Sequence, residues 1–364
     1  MKILFYTTDM KFGGAQRVIS ILANTFAENG HSVKIFMYNE YDTIAYELNE
    51  KVSVVHLNSR FRIVNPVRDI FELRKTRKQV LSFSPDIIIS FYAIDTVLIR
   101  LACMGKSIPV IYSQRCDPYN TTFKEHLYEK LATHLARHII FQSRGAQQYY
   151  PETIINKSEI IFNPLRTERL PQKTSIPDMR QGAKKSIVAV GRLSQQKNHA
   201  MLIKAFDHIK DDIPEHILQI FGDGPLKQHL QGIIAERGLQ DRVFLMGNHT
   251  DVVHSMAKAS LFVLPSLYEG QPNALLEAMC IGVPCISTDW SPKGTVTDLI
   301  KNGENGRIVF SMKDKDMSDA ILELLSNKDL ADTMGKNAAS IAQKVNADHI
   351  SRQWLETISN IIKR

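Results

Sequence analysis

The stretch Leu261-Phe-Val-Leu-Pro265-Ser-Leu-Tyr-Glu269-Gly-Gln-Pro-Asn273-Ala-Leu-Leu-Glu277-Ala-Met-Cys280 predicts a strand, a loop and a helix in succession. The strand is the apolar run 261–265, and the helix is 274–280 with Asn273 as its N-cap. A turn from a buried strand into a helix directs free backbone N–H groups outward, which suits a phosphate or another polar ligand. This unit indicates an α/β fold with a binding edge.

Two carboxylates bracket the loop and the first helical turn. Glu277 has only apolar helical neighbours, namely Ala274, Cys280 and Ile281. A carboxylate on such a face is costly unless it has partners, and the hydroxyl groups of a sugar would be such partners. The alternative is that Glu269 is a surface loop acid and Glu277 a solvated helix charge.

Strand-like and helix-like runs alternate through the first half of the chain. The strand candidates are Ile3–Tyr6, Val33–Tyr38, Val52–Leu57, Ile87–Phe91, Val110–Tyr112, Ile139–Gln142 and Ile160–Phe162. They are continuous β-branched and aromatic runs, as expected of strands that are buried on both faces. Helices are predicted between them, for example at Ala15–Asn29 and Phe123–Ala136. The alternation predicts a doubly wound domain with a parallel sheet.

The stretch 166–185 interrupts the alternation and is predicted to be an interdomain linker, because prolines and a glycine lie there among charged residues. A second alternation follows. Its strand candidates are Ile187–Val190, Ile217–Phe221, Val243–Met246, Leu261–Leu264 and Cys285–Ser287. Its predicted helices are Ala200–Ile209, Pro225–Arg237, Val252–Ala259, Ala274–Cys280, Thr295–Lys301, Asp316–Ser326 and His349–Ile362. Two Rossmann-like domains are therefore expected, at 1–165 and 186–348.

Composition narrows the class of protein. The 364 residues carry a net charge of +7 and 44% apolar residues, which is typical of a globular protein with two domains. No run approaches the ~20 apolar residues of a membrane span. The N-terminus lacks the apolar run and the cleavage site of a signal peptide, so a cytoplasmic location is expected. The four cysteines form no metal or disulfide pattern, and no nucleic-acid-binding motif is found.

A basic segment spans residues 60–78. Its cations are Arg60, Arg62, Arg68, Arg74, Lys75, Arg77 and Lys78, and its apolar residues are Ile63, Val64, Val67, Ile70, Phe71 and Leu73. Such a segment could lie against anionic lipid head groups. The alternative is an ordinary amphipathic helix that packs on a sheet with its charged face in solvent.

Glycines and polar residues follow the strands of the second half. They are Gly191-Arg192 with Lys197, Gly222-Asp223-Gly224, Gly247-Asn248 and the loop that begins at Glu269. Ligands of open α/β sheets bind outside the carboxyl ends of the strands. Arg192 and Lys197 are spaced to reach one anion, and two cations beside a helix N-terminus can neutralise a diphosphate. They are expected to act in place of Mg²⁺, because no acidic cluster has the spacing of a metal site.

These motifs, in this order and spacing, resemble the family 4 glycosyltransferases of the GT-B fold. The resemblance also takes in Gly13-Gly14-Ala-Gln-Arg17, which follows the first strand, and so covers nearly the whole chain. It implies two Rossmann-like domains that face a cleft, with the last helix, about 349–364, crossing back to the N-terminal domain. It further implies a nucleotide-sugar donor on the C-terminal domain and transfer with retention of anomeric configuration, without an essential metal or other cofactor.

The resemblance assigns roles to the residues of the donor site. Arg192 and Lys197 contact the diphosphate and stabilise the leaving nucleotide, and Glu277 binds the ribose hydroxyls. Glu269 faces the donor sugar, where it hydrogen-bonds the sugar hydroxyls or supports the positive charge that develops at the anomeric carbon. The remaining expected donor contacts are Gly13, Gly14, Gly191, Gly222, Asp223, Asn248, Gly270, Gln271 and Asn273.

One loop departs from the common family pattern, which places a histidine opposite the donor sugar. Here Ser113-Gln-Arg-Cys-Asp-Pro118 resembles the Ser-Glu-Arg-Asn-Asp-Pro version of some bacterial surface-polysaccharide transferases. Arg115 is expected to take a catalytic role and to bind the acceptor or the donor phosphate. Asp117 is expected to orient Arg115 and to contact the acceptor.

The subgroup implies the substrates. Such enzymes build lipid-linked glycans for capsule, exopolysaccharide, lipopolysaccharide or glycoproteins. A hexose or N-acetylhexosamine donor, activated with UDP by family habit, and an acceptor on undecaprenyl diphosphate are therefore expected. The basic segment would make the enzyme a peripheral protein at the inner face of the plasma membrane. Two alternatives remain open: a non-catalytic subunit that binds sugar nucleotides, and another GT-B enzyme such as a UDP-sugar epimerase or a phosphorylase.

Overall fold

The chain forms two α/β units. The computed structural model describes residues 1–39, 44–59, 66–173, 185–249, 251–290 and 295–363. The contacts between Cα atoms divide the chain into Met1–Arg166 with Val345–Arg364, called unit 1, and Thr167–Lys344, called unit 2. The predicted architecture of two Rossmann-like α/β domains is confirmed. Most of the predicted linker, at 174–184, lies outside the described residues.

Unit 1 is built on a sheet of seven parallel strands. They are β1 Lys2–Thr7, β2 Ser32–Met37, β3 Val52–His56, β4 Ile87–Ser90, β5 Val110–Ser113, β6 His138–Phe141 and β7 Ser158–Ile160. Their spatial order is β3-β2-β1-β4-β5-β6-β7, and Ile3 of the central strand pairs with both Val33 and Ile87. The chain winds outward in both directions from β1, as a doubly wound fold does.

Helices cover both faces of this sheet. They are α1 Gly14–Glu28, α2 Pro66–Phe83, α3 Ala93–Ala102, α4 Phe123–Leu135, α5 Arg144–Gln147 and α6 Glu152–Ile155. Successive strand residues point to opposite faces, so Ile3 and Phe5 pack in one core with residues of α1. Leu4 and Tyr6 pack in another core with residues of α2 and α3. Burial on both sides explains the unbroken apolar runs of these strands.

Unit 2 repeats the plan with six parallel strands. They are β8 Lys185–Val190, β9 His216–Phe221, β10 Val243–Gly247, β11 Leu261–Leu264, β12 Cys285–Thr288 and β13 Arg307–Val309, in the order β10-β9-β8-β11-β12-β13. The helices from residue 199 to residue 345 are α7 His199–Ile209, α8 Lys227–Glu236, α9 Val252–Ala257, α10 Asn273–Ile281, α11 Asp314–Ser326, α12 Lys328–Ala339 and α13 Ile341–Val345. One core cluster, from Ile187 to Met334, joins the sheet to α7, α8 and α11.

Two predictions for unit 2 are wrong. The helix expected at Thr295–Lys301 is only a short 3-10 turn, Val296–Asp298. Its β-branched residues favour helix weakly, and Asn302-Gly303 follows too soon for a second turn. The edge strand β13 was missed, because three residues are too few to show a periodic pattern.

The C-terminal helix, α14 Ala347–Ile362, belongs to unit 1 and packs against α1. Asn346 caps it, since its side-chain oxygen accepts hydrogen bonds from the backbone N–H groups of Asp348 and His349. Trp354 is fully buried, and its ring stacks on Phe91 with 6.3 Å between the ring centroids. The predicted return of the last helix to the N-terminal domain is therefore confirmed.

Candidate functional site

The loops that follow β8, β9 and β10 meet at the carboxyl edge of the unit 2 sheet. The backbone N–H of Gly191 donates to the carbonyl of Phe221 at 2.9 Å, and Gly222 donates to Gly247 at 2.8 Å. The N–H of Leu193 donates to the carbonyl of the next loop, at Asp223, over 3.0 Å. The predicted glycine-rich segments are thus brought together into one hydrogen-bonded rim.

The glycines of this rim allow a closer approach than any other residue would. A Cβ atom on Gly222 would lie 2.1 Å from the carbonyl oxygen of Gly191, and one on Gly224 would lie 2.5 Å from that of Leu193. Gly222 also has a φ of +133°, a conformation that residues with a Cβ rarely adopt. The two loops interlock because both positions lack side chains.

Lys197 and Glu269 form an ion pair at this edge. The Lys197 ammonium contacts Oε1 of Glu269, and the hydroxyl of Ser266 donates to the same oxygen at 2.6 Å. The Glu269 side chain is 7% exposed and that of Lys197 is 18% exposed, so solvent screens the pair only weakly. The structure therefore brings a predicted diphosphate ligand and a predicted sugar ligand into direct contact.

Two residues that sequence reasoning missed hold this pair in place. The side chain of Gln196 donates to the carbonyl of Tyr268 at 2.9 Å, and the carbonyl of Gln196 accepts from the N–H of Leu267 at 2.8 Å. Ser266 is fully buried, and Thr288 donates to its carbonyl at 2.6 Å. The only sequence signal for them is their polarity beside Lys197 and Glu269.

Helix α10 places Glu277 and the loop before it. Glu277 is buried in the second turn, and Gln271 is buried just ahead of the helix, while Gly270 is half-buried. The prediction of Asn273 as the N-cap is wrong. Pro272 is the extended residue that precedes the helix, and Asn273 is its first residue. Pro272 occupies the cap position in extended conformation, and its ring has no oxygen that could accept from the first N–H groups of the helix. Asn273 is already helical and therefore does not act as the cap.

The other predicted donor residues of unit 2 lie at the solvent-exposed rim. Arg192, Asp223 and Asn248 are exposed. Asp223 accepts a hydrogen bond from the N–H of Gly224 at 2.7 Å and lies 3.7 Å from the ammonium of Lys227. No hydrogen bond joins these three side chains to Lys197 or Glu269 within the described part of the chain.

His199 is a buried titratable group that the sequence did not single out. It is the first residue of α7, and its Nε2–H donates to the carbonyl of Gly191 at 3.3 Å. Burial, assisted by the charge of Lys197 and opposed by the hydrogen bond to Gly191, lowers the pKa of His199 to about 4. The imidazole is therefore neutral at neutral pH and acts as a donor to the rim.

The depressed pKa of His199 predicts a loss of stability in acid. The folded value of about 4 lies below the ordinary 6.5, so the contribution is complete above pH 6.5 and is lost as the pH falls towards 4. Between about pH 7.5 and pH 5, the wild type should lose about 2 kcal/mol more unfolding free energy than His199→Gln. Urea unfolding of both proteins at both pH values measures the difference, and equal losses would contradict it.

In unit 1, Arg115 follows β5 and is held by an aromatic ring and a side-chain amide. Its guanidinium lies over the ring of Phe91, 4.6 Å from the centroid, and Phe91 stacks in turn on Trp354. Nη1 donates to the side-chain oxygen of Asn163, which also accepts from Gln142 at 2.9 Å. Burial lowers the pKa of Arg115 to about 9, which leaves it cationic at neutral pH.

Asp117 does not orient Arg115, contrary to the expectation from sequence. Its two oxygens accept hydrogen bonds from the N–H of Tyr119 at 3.0 Å and from the side chain of Asn120 at 2.6 Å. Aspartate readily bonds to the backbone two residues ahead, and this local turn satisfies it. Asn163 takes the orienting position instead, and the sequence marked Asn163-Pro164 only as a break in the alternation.

The glycine pair of unit 1 begins α1. Gly14 is the first helical residue and is exposed, and Gly13 precedes it in extended conformation. The hydroxyl of Tyr46 accepts from the N–H of Gly13 at 3.0 Å and donates to its carbonyl at 2.9 Å. The turn is thereby fixed, and the first turn of a 15-residue helix is left at the carboxyl edge of the sheet.

Only part of the basic segment is described. Residues 60–65 lie outside the described residues, and α2 begins at Pro66. Arg74, Lys75 and Lys78 are exposed, as are Ile70 and Phe71. Arg77 is engaged, because it donates to the carbonyls of Ala102 and Met104 at the end of α3. The exposed face of α2 is thus both cationic and apolar.

Comparison with known sequences matches each half of the chain to a glycosyltransferase family profile. Residues 12–169 match the sequence profile of Glycosyltransferase Family 4, and residues 172–341 match that of Glycosyl transferases group 1. The chain is 24% identical over 369 residues to the GalNAc-alpha-(1->4)-GalNAc-alpha-(1->3)-diNAcBac-PP-undecaprenol alpha-1,4-N-acetyl-D-galactosaminyltransferase of Campylobacter jejuni, and 99% of each chain is covered.

A second related enzyme and a solved structure are also similar to this chain. A second enzyme of Campylobacter jejuni, the N-acetylgalactosamine-N,N'-diacetylbacillosaminyl-diphospho-undecaprenol 4-alpha-N-acetylgalactosaminyltransferase, is 30% identical over 200 residues, which cover 55% of this chain and 53% of the relative. The crystal structure of Anabaena Alr3699/HepE in complex with UDP and glucose superposes with a TM-score of 0.83 at 20% identity, covering 99% of both chains. The chain belongs to the family 4 glycosyltransferases and has the GT-B fold.

Proposed function

We propose that this glycosyltransferase moves a hexose or an N-acetylhexosamine from a UDP-sugar to a lipid-linked glycan, with retention of anomeric configuration and without a metal ion. The acceptor is a glycan on undecaprenyl diphosphate, and the product belongs to a bacterial surface polysaccharide or to the glycan of a glycoprotein. The proposal rests on the Lys197–Glu269 pair, in which a partly buried cation contacts a buried carboxylate at the carboxyl edge of the unit 2 sheet.

The pair supplies both charges that the reaction needs. As the bond from the sugar to the diphosphate breaks, negative charge grows on the leaving phosphate and positive charge grows on the anomeric carbon. Lys197 and the exposed Arg192 stabilise the first charge, and Glu269 stabilises the second. We place the diphosphate at Lys197, where it competes with Glu269 for the ammonium. Donor binding then frees the carboxylate to face the sugar.

The cations take the place of Mg²⁺ in this scheme. Two positive side chains and the N-terminus of α10 together offset the charge of a departing diphosphate. A transferase of this kind retains its activity in excess EDTA.

Retention is supported by the names of the relatives. The two Campylobacter jejuni enzymes are named as alpha-transferases, and one of Bacillus subtilis is named poly(glycerol-phosphate) alpha-glucosyltransferase. The common UDP-hexoses carry an α-linked diphosphate, so an α-linked product requires retention. UDP is supported by the UDP complex of the Anabaena protein, and Glu277 of α10 is the proposed ligand of its ribose.

The acceptor is proposed from the same relatives and from unit 1. Both Campylobacter jejuni enzymes are named for acceptors on undecaprenyl diphosphate. Arg115, held by Phe91 and Asn163, presents a cation at the carboxyl edge of the unit 1 sheet, where it can bind a phosphate of the acceptor or of the donor. Asp117 lies in the turn that follows Arg115, and its proposed role is a further contact with the acceptor.

The enzyme would meet this acceptor as a peripheral protein on an anionic membrane. None of the helices in the described part of the chain has the length and apolarity that crossing a membrane requires. The exposed cations Arg74, Lys75 and Lys78 on α2 offer attraction to anionic head groups.

The proposal is tested by incubating the protein with UDP-, GDP- and ADP-sugars and an undecaprenyl-diphosphate glycan, with and without EDTA. Release of UDP together with an extended glycan is the expected result, and the anomeric proton of the product reports retention by NMR. A binding subunit would give no turnover, and an epimerase would convert the UDP-sugar without the acceptor. Absence of both transfer and donor hydrolysis with every donor would overturn the proposal.

A further inference from the structure

Helix α4 carries an apolar stripe that the fold leaves uncovered. Phe123, Leu127, Leu131 and Leu135, which we call the α4 stripe, are 88, 49, 41 and 39% exposed. They recur every four residues, so they lie along one gently winding face of the helix. The opposite face is buried through Ala132 and Thr133. A stripe of this length on a folded domain is an interaction surface.

The acidic and basic residues of α4 lie in different positions relative to the stripe. The two acidic side chains of α4 are bound away from it: buried Glu129 accepts from the hydroxyls of Tyr112 and Tyr150, and Glu125 forms a capping box with Thr122. Lys124 and Lys130 are exposed. At 3.6 residues per turn they fall on the same side as the stripe. The exposed face is thus apolar and cationic without a competing carboxylate.

The same character extends beyond the helix. Helix α3 packs against α4, and Leu101 and Met104 at its end are 45 and 70% exposed. Beyond Leu135, a cavity of about 660 Å³ is lined by Arg100, Lys106 and Arg137, with one acid, Asp86, at its wall. The stripe therefore leads into a mainly cationic recess that is large enough for a phosphate-bearing head group.

We propose that the α4 stripe inserts into an anionic lipid surface, with the flanking cations on the head groups. Apolar side chains beside lysines are the composition of an interfacial helix. A second copy of the chain fits less well, because a two-fold contact would bring together two faces of the same positive charge, with no carboxylate of the stripe to pair with Lys124 or Lys130. The inference rests on the proposed function, because a lipid-linked acceptor requires a membrane. It adds an apolar anchor on α4 to the cationic contacts proposed for α2.

The test is sedimentation of the whole protein with vesicles of phosphatidylglycerol and phosphatidylcholine, without donor or acceptor. The double substitution Leu127→Gln/Leu131→Gln should weaken partitioning to mixed vesicles at least ~10-fold. Phe310→Ser is the matched control, because Phe310 is 68% exposed in unit 2 and outside the stripe, and it should partition like the wild type. The wild type should bind vesicles of phosphatidylcholine alone more weakly.

Two outcomes would overturn the inference. One is a double variant that folds with an unchanged thermal transition and binds mixed vesicles as the wild type does. The other is a double variant that changes only from dimer to monomer by light scattering, which would assign the stripe to a second copy. The double variant should still transfer sugar to an acceptor dispersed in detergent. If the wild type shows no transfer to that acceptor, the result counts against the proposed function and not against the membrane contact.

Discussion

Replacing Glu269 with glutamine is expected to lower kcat by about 10²- to 10³-fold, while KM for the donor changes by less than about tenfold. The amide keeps the size of the side chain but removes the negative charge that faces the anomeric carbon in the proposed mechanism. It also leaves Lys197 without its ion-pair partner. Steady-state kinetics with the donor identified by the UDP-sugar screen measure both constants.

Glu277→Gln is the matched control, since Glu277 is equally buried and lies on the same loop-and-helix unit. Its proposed role is to bind ribose, so we expect donor KM to rise about 10- to 100-fold with kcat largely kept. Unfolding in urea separates chemistry from packing. If both substitutions alter only stability and leave both kinetic constants intact, the two glutamates are structural.

The second large effect is expected at Gly222. Alanine there should lower the free energy of unfolding by about 3 to 5 kcal/mol, because the backbone must shift to relieve two strains. The new Cβ would lie 2.1 Å from the carbonyl oxygen of Gly191, and φ is +133°. Urea or thermal unfolding measures the loss, and a poor yield of folded protein would be its extreme form.

Two glycines of unit 2 serve as controls that separate the two strains. Gly238 has a φ of +62° but no atom within 4 Å of a Cβ, so Gly238→Ala should cost about 1 kcal/mol. Gly232 lies in α8 with open space and no positive φ, so Gly232→Ala should be neutral or stabilising. If Gly222→Ala were no more costly than Gly238→Ala, the interlocking of the two loops would be refuted.

The sequence predicted the fold well because its strands are buried on both faces. Continuous β-branched runs such as Ile87–Ser90 are easily recognised, and helices between them force parallel pairing. Short or weakly patterned elements were harder. The three-residue β13 and the single turn at Val296–Asp298 depend on tertiary packing more than on local preference.

The candidate site was predictable as a set of strand-end motifs, since parallel strands deliver their loops to one edge. The partners of each side chain were not. The ion pair of Lys197 with Glu269 joins residues 72 positions apart, and Asn163 reaches Arg115 across 48 positions. Such contacts depend on the spatial order of the strands, in which β8 lies beside β11 and β6 alone separates β5 from β7. That is also why Asp117 was assigned an orienting role that Asn163 takes.

The proposed transfer reaction is tested most directly by a single assay of UDP release and glycan extension with a UDP-sugar and an undecaprenyl-diphosphate glycan. We expect acceptor-dependent UDP release, an extended glycan of retained configuration and full activity in EDTA. Glu269→Gln should abolish most of this turnover without loss of folding. A wild-type protein that neither transfers nor hydrolyses any UDP-, GDP- or ADP-sugar would contradict the proposed reaction.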